Sequence, residues 1–202
     1  MKLKAALASL AALFAAPAMA EVVVIDFDNL VNNVYVNTYY AGGADSLGHV
    51  GGADQGISFV GFVTASGAGA SSSPNYAYAN GAAGLINVLD GFIALNFSYG
   101  TMAPATISVY SGLNGTGTLL GSGIFNGNAM AFAPGAVSFS GLAHSVRMTA
   151  TPSHAALDDV AFTMAQPIPE PQTWAMLGAG LAVVFAARRR RGRGLSPKGT
   201  VP

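Results

Sequence analysis

Between residues 21 and 166 the chain alternates short apolar and polar positions, and Gly, Asn and Pro break the runs. In Ile93-Ala94-Leu95-Asn96-Phe97-Ser98-Tyr99, the residues Ile93, Leu95, Phe97 and Tyr99 share one face of an extended chain; in Ile107-Ser108-Val109-Tyr110, Ile107 and Val109 do. Side chains on a strand alternate faces with a period of two, so each run turns one face to a core and one to water. The pattern predicts strands at 22–27, 34–36, 57–63, 85–89, 92–99, 106–110, 118–120, 136–139, 145–149 and 159–163. Helical periodicity is hard to find. Many short strands so spaced predict an all-β fold, an antiparallel β-sandwich of the jelly-roll kind. Asn114-Gly115 reads as a hairpin turn. The stretches 42–56 and 66–74 read as long loops, of the sort that carry binding at one end of a sandwich.

The two ends follow a different pattern. Residues 1–20 have the three parts of a secretory signal peptide. Lys2 and Lys4 come first, then an apolar run at 5–16, then Pro17 and the small-residue site Ala18-Met19-Ala20 ahead of Glu21. Cleavage is expected between Ala20 and Glu21, with the Sec machinery and signal peptidase as partners. At the other end, Pro167-Ile168-Pro169-Glu170-Pro171 precedes fourteen uncharged residues, 174–187, and then Arg188, Arg189, Arg190 and Arg191. As a helix that apolar piece spans ~21 Å, against a hydrocarbon core of ~30 Å. It is predicted as a single, short C-terminal transmembrane helix in inner-membrane lipid. Trp174 would sit at one interface, with the arginines snorkelling at the other. Arginines beside a span stay cytoplasmic, which places the preceding domain outside. The prolines around Glu170 keep the backbone extended. Residues 192–202 read as a disordered basic tail. The domain organisation is therefore 1–20 signal peptide, 21–166 ectodomain, 167–191 sorting segment and 192–202 tail.

Charge sharpens this division. The formal net charge is zero, but Arg147 is the only lysine or arginine between the two ends. The same stretch holds Glu21, Asp26, Asp28, Asp45, Asp54, Asp90, Asp158 and Asp159, about −7 in all. Such a domain repels nucleic acid and anionic polymers. With no cysteine there is no disulfide, thiolate metal site or thiol nucleophile. The roughly 145 residues between the ends suit one domain with its own packed core.

Pro169-Glu170-Pro171, the apolar segment opening Trp174-Ala175-Met176-Leu177-Gly178, and the block Arg188-Arg189-Arg190-Arg191 together resemble the PEP-CTERM sorting signal of Gram-negative bacteria. The resemblance implies processing near Pro169-Glu170-Pro171 by an exosortase, a membrane cysteine protease-transpeptidase. It also implies a setting of exopolysaccharide production and biofilm matrix. A second resemblance rests on Ser72-Ser73-Pro74-Asn75, the run from Val109-Tyr110-Ser111-Gly112 to Thr118-Leu119-Leu120, Gly141-Leu142-Ala143-His144-Ser145-Val146 and Leu157-Asp158-Asp159-Val160-Ala161-Phe162. These are similar to the galactose-binding-like or lectin-like jelly rolls often attached to this signal. In those folds the Asp-Asp-Val-x-Phe strand closes the sandwich beside the first strand, here 22–27.

Chemistry-bearing residues are sparse. Asp26 and Asp28 end the first predicted strand, and Asp158 and Asp159 open the last. They read first as turn caps and acceptors of backbone hydrogen bonds; a structural Ca²⁺ ion, which takes six to eight oxygens, is the alternative. No other cofactor is expected. His49, His144 and His154 lack metal-ligand spacing and read as loop or solvent residues. Tyr35, Tyr39, Tyr40, Tyr76, Tyr78 and Tyr99 offer sugar-stacking faces, against the alternative of core and sheet packing. Arg147 is expected to pair with a neighbouring aspartate. A glycosidase needs two carboxylates across a cleft, and Asp54 with Asp90 is the one separated pair to nominate. No nucleophile elbow or phosphate loop is present, so no enzyme is expected. The chain reads as an exported protein with a transient C-terminal anchor, destined for the cell surface, outer envelope or extracellular space. Its role is structural or adhesive; the alternative is a carbohydrate-binding module contacting extracellular polysaccharide.

Overall fold

The structure, a computed structural model, describes residues 20–51, 53–67, 69–165 and 180. The chain divides into two units, Met19–Ala165 and the two terminal segments together; the fold described is that of Met19–Ala165. The predicted signal peptide, the C-terminal transmembrane helix at 174–187 and the tail at 192–202 lie outside the described residues, save Ala20 and Gly180. No helix among the described residues is long and apolar enough to cross a membrane.

Ten strands follow one another: β1 Val22–Ile25, β2 Ile57–Val60, β3 Phe62–Ser66, β4 Asn75–Ala79, β5 Ala83–Thr101, β6 Ala105–Tyr110, β7 Leu119–Phe125, β8 Ala133–Ala136, β9 Ala143–Thr149 and β10 Ala155–Met164. All recorded pairings are antiparallel. The 19-residue β5 joins two layers into a β-sandwich. Its first half pairs with β2 and β9, and β9 continues to β6 and β7. Its second half pairs with β10 and β8. On the other edge of β10, β4 takes the first residues and β1 the last, and β3 lies outside β4. Closure of the sandwich by β10 beside β1 is the arrangement the second resemblance implies.

Gly91 marks the crossing between layers. Its φ of +76° suits glycine, and a Cβ there would lie 2.7 Å from Leu142 Cδ1 and 3.0 Å from the Ala143 carbonyl. Just beyond it, Phe92 pairs with Met164, but Ala94 pairs with Thr163, so Ile93 is an extra residue in a β-bulge. The bulge changes which parity faces inward. Ile86, Val88 and Phe92 are buried before it, Leu95 and Phe97 after it. Ile93, expected in the core from simple alternation, is 50% exposed, and Phe92 at 0% takes the inner place.

The core between the layers is rich in phenylalanine. Phe27, Phe59, Phe62, Phe92 and Phe162 are fully buried or nearly so. Edge-to-face contacts link Phe27 with Phe59 at 5.5 Å, Phe59 with Phe62 at 5.7 Å, and Phe92 with Phe162 at 5.1 Å.

The element boundaries differ from the sequence reading in instructive ways. The predicted 57–63 strand is two strands, turned at Gly61; 85–89 and 92–99 are one. Residues 34–36 form no strand. They run beside β3 with an isolated bridge between Tyr35 and Val63, while the Val36 amide donates to the Phe62 carbonyl at 3.1 Å. β4 was not predicted. Its inward residues are Asn75, Ala77 and Ala79, too small or too polar to mark an apolar face. The Asn114-Gly115 hairpin joins β6 to β7 as expected, through a loop longer than two residues.

Candidate functional site

A groove is built by three pieces: the 3-10 turn Tyr39–Ala41 with the loop behind it, the paired strands β2 and β5, and the 3-10 turn Leu113–Gly115 between β6 and β7. Asn114 and Gly115 both have positive φ, 58° and 68°, which the Asn-Gly dipeptide tolerates. That turn is fastened to β5 by a reciprocal amide pair. The Asn87 Nδ2 group donates to Asn114 Oδ1 at 3.0 Å, and the Asn114 amide donates to Asn87 Oδ1 at 2.7 Å. The Gly115 amide donates to Ser145 Oγ at 2.9 Å, tying the same turn to β9.

The resulting groove has a volume of about 250 Å³. Thr38, Asp54, Ser58, Asn87 and Asn114 supply its polar lining, and Leu89 and Leu113 its apolar lip. Leu89 is 64% exposed and Leu113 37%. Asp54 Oδ1 accepts the Gly56 amide at 2.8 Å, and a Cβ built on Gly56 would lie 3.8 Å from Asp90 Oδ2. The two nominated carboxylates therefore flank one glycine. Both residues are exposed to water. The arrangement is suited to accepting hydrogen bonds.

None of the six nominated tyrosines lines the groove. Tyr39 and Tyr40 are buried behind it, edge to face at 5.1 Å. The Tyr35 hydroxyl accepts from Asn80 Nδ2 at 2.8 Å; Tyr76 packs on Phe132 at 5.3 Å and Tyr99 on Phe125 at 4.9 Å. Tyr78 lies half-buried on β4. What the sequence reading missed is the amide pair: Asn87 and Asn114 are 27 residues apart, and only the β5–β6–β9 pairing brings them together.

Asp26, Asp28 and Asp158, at the β1 and β10 ends, accept backbone amides. Asp26 Oδ1 accepts the Asp28 amide at 3.2 Å, and Asp28 Oδ1 accepts the Asn75 amide at 2.8 Å. Asp158 is fully buried; it accepts the Ser72 amide at 2.8 Å, the Ser72 hydroxyl at 3.1 Å and the Asp159 amide at 2.8 Å. Burial pushes the Asp158 carboxyl up, against the pull of the Ser72 and Asp159 amides. Among the described residues no group of three or more His, Asp or Glu side chains is gathered as a metal ion requires. The His144 ring faces the Val88 carbonyl at 3.3 Å and the His154 ring the Pro152 carbonyl at 2.7 Å. Arg147, expected to meet an aspartate, is exposed in β9 opposite Ser108 and Leu85 and has no ion pair among the described residues. Ala20 and Glu21, on either side of the expected cleavage bond, are exposed. Ala18, Pro169, Glu170, Pro171, Trp174 and Arg188 to Arg191 lie outside the described residues.

The long loop before β2 carries its own clasp. The Asp45 carboxylate accepts the Leu47 amide at 2.8 Å, the His49 amide at 3.0 Å and the His49 ring at 2.8 Å. Desolvation alone would raise this carboxyl. The hydrogen bonds from the His49 ring and from the two amides outweigh it and hold the pKa below the usual carboxylate value. The Asp45 side chain is covered, but the His49 side chain is 54% exposed, so solvent screens the pair from the histidine side. A carboxyl with a lower pKa folded than unfolded adds stability above its unfolded pKa, ~3.9, and loses it as pH falls through the folded value. The Leu47 and His49 amide protons are therefore expected to keep hydrogen-bonded NMR shifts above about pH 4. They lose them on further acidification, and in Asp45→Ala they lack them at every pH.

No curated protein matches the sequence. Among solved structures, a family 29 carbohydrate-binding module aligns at 11% identity and a TM-score of 0.42, covering 76% of this chain and 99% of that one. The module CsCBM6-3 from Clostridium stercorarium, solved in complex with cellobiose, aligns at 16% identity and a TM-score of 0.36, covering 54% and 87%. A glycoside hydrolase family 43 arabinoxylan arabinofuranohydrolase from Bacillus subtilis aligns at 17% identity and a TM-score of 0.40 over 52% of this chain, which spans about a quarter (24%) of that enzyme. Residues 167–191 match the PEP-CTERM protein-sorting motif, so the sequence of the β-sandwich is followed by a sorting motif of that kind, which implies export and C-terminal anchoring before exosortase cleavage.

Proposed function

We propose that the protein is a non-catalytic component of the cell surface or extracellular matrix, delivered through its sorting signal, and that its β-sandwich holds neutral polysaccharide in the groove between the Tyr39–Ala41 and Leu113–Gly115 turns. The observation that carries this reading is the composition of the groove: amide, hydroxyl and carboxylate groups on its floor and two solvent-exposed leucines on its lip. A pyranose ring needs both, since its hydroxyls seek hydrogen bonds and its C–H face seeks apolar contact. Eight acidic residues and one basic residue between the ends favour a neutral glycan over an anionic one. The chemistry is that of holding, because the nearest carboxylates, Asp54 and Asp90, are solvated.

The test is affinity electrophoresis of the processed protein through gels containing the neutral polysaccharide of the producing cells. Wild type is expected to be retarded. Ser58→Ala with Leu89→Ala, which removes one hydroxyl and one exposed apolar side chain without touching the core, weakens retardation ~10-fold. Equal mobility with and without glycan would leave the domain a structural protein with no glycan contact, contrary to the proposal.

A further inference from the structure

A strand with a neighbour on one side only presents unpaired backbone N–H and C=O groups to any chain that can lie extended beside it. Here β1, β2, β3, β7 and β8 are such edges. Four of the five are guarded. Residues 33–37 run along β3 and reach β2: the Thr64 amide donates to the Val34 carbonyl at 2.9 Å, and the Phe59 amide to the Asn37 carbonyl at 2.8 Å. β1 has four residues and is bracketed by Glu21 and Asp26, so a second copy laid antiparallel beside it would bring like charges together. β8 also has four residues and includes Pro134, which has no N–H to give.

β7 has none of these protections. Its seven residues, Leu119–Phe125, include no charge and no proline. Among the described residues its backbone groups bond only to β6. Ile124 is 70% exposed and Leu119 53%. The strand is also held from behind. A Cβ on Gly121 would lie 2.5 Å from the Ser138 carbonyl oxygen, and one on Gly123 3.8 Å from Val137 Cγ2, so residues 137–139 back its inner face. The irregularity in its pairing with β6 is confined to the Leu119 end; Gly121–Phe125 keeps register. An edge already fixed in this way loses little freedom when it gains a neighbour.

Charge selects the neighbour. The stretch between the two ends carries about −7, so two copies of it repel in most orientations. Yet its acidic residues all lie at 21–90 or at 158–159, and 91–157 holds none. Strands β6 and β7 fall within that neutral stretch, which makes their edge the face on which two copies meet with least repulsion. A two-fold rotation lays β7 antiparallel beside itself, the same patch serving on both copies.

We propose that β7 is the contact through which two copies of this chain join, antiparallel, so that the β2–β5–β9–β6–β7 layer of one copy continues into that of the other. The proposal stands on the bare edge and the charge pattern and does not rest on the glycan reading. One short edge buries less than the ~1,600 Å² of a standard interface, so the dimer is expected to come apart on dilution.

Sedimentation equilibrium of the full-length chain in density-matched detergent, diluted stepwise from ~1 mM, reads the association. Wild type is expected to pass from dimer to monomer mass along the series. Ile124→Lys, at an exposed position, sets like charges on the two facing edges and is expected to weaken association ~10-fold. Val24→Lys makes the same change on β1 and is expected to leave it unaltered. A second measurement needs no disruptive variant. The chain has no cysteine, so Ser122→Cys places a single thiol at an exposed position in mid-strand. Adjoining strands lie ~4.8 Å apart, and a short bis-maleimide is expected to link this variant to itself and to leave Val24→Cys unlinked. A wild type that stays monomeric throughout the series overturns the proposal. So does association that Ile124→Lys leaves unchanged or that both lysines weaken equally, and so does linkage at 24 as complete as at 122.

Discussion

Replacing Pro169, Glu170 and Pro171 together by alanine is expected to abolish release of the protein from the membrane fraction. In the wild type, mass spectrometry of the extracellular form is expected to find termini at Glu21 and near Pro169-Glu170-Pro171. In the triple variant only the N-terminal cleavage remains, and the chain keeps its apolar stretch and arginines. The reasoning is conformational as well as chemical. Proline lacks an N–H and disfavours the helical region for the residue before it. The wild-type segment is therefore predicted to present an extended strand with one carboxylate, the form a protease cleft accepts. Three alanines remove the carboxylate and extend the helix-forming stretch toward Gln166. Glu170→Gln separates the two contributions: if extension alone matters, this variant is still released; if the charge is read, it is retained. Release of the triple variant with an unchanged C-terminus would detach the sorting segment from the processing step assigned to it. Replacing Arg188 to Arg191 by serine tests the opposite side of the same segment, since serines give up the positive charge that opposes translocation.

How much of this protein could be read before its structure depends on the range of the interaction concerned. The C-terminal sorting motif is a local pattern, complete within thirty residues, and its match at 167–191 coincides with the residues that carried the resemblance. Strand β6 was legible because Ile107 and Val109 are large, alternate strictly and stay in register. The turn at Asn114-Gly115 was legible from backbone preference alone. Strand β4 was not, because Ala77 and Ala79 are buried by the close approach of neighbouring strands, and no apolar bulk announces it. Val34 and Val36 were overread: they are core residues, but the backbone between them only bridges to β3. The candidate groove was the least legible part. Its loop, 42–56, stood out as a long connection, yet its other wall depends on Asn87 meeting Asn114 across three strands. The tyrosines drew attention by chemistry, whereas most of them are packed in place.

Phe92→Ala is expected to destabilise the sandwich by ~3–5 kcal/mol, and Ile93→Ala, one residue along, by ~0.5 kcal/mol or less. The contrast follows from the bulge. Strict alternation from Leu95, Phe97 and Tyr99 puts Ile93 inside and Phe92 outside; the extra residue between the Phe92–Met164 and Ala94–Thr163 pairs reverses that. Phe92 then meets Phe162 at 5.1 Å and Phe139 at 5.5 Å, at the place where β5 passes from one layer to the other. Removing its ring opens a cavity bounded by strands of both layers. Gly91, held against Leu142 and the Ala143 carbonyl, leaves the backbone little room to collapse into that cavity. A loss of that size is a large part of the ~5–15 kcal/mol that holds a domain folded. Urea denaturation of the two variants should therefore show a large fall in midpoint for Phe92→Ala and almost none for Ile93→Ala, with the slope unchanged in both. The opposite order would mean that β5 runs through without a bulge. The Phe92–Met164 and Ala94–Thr163 pairs could not then both hold.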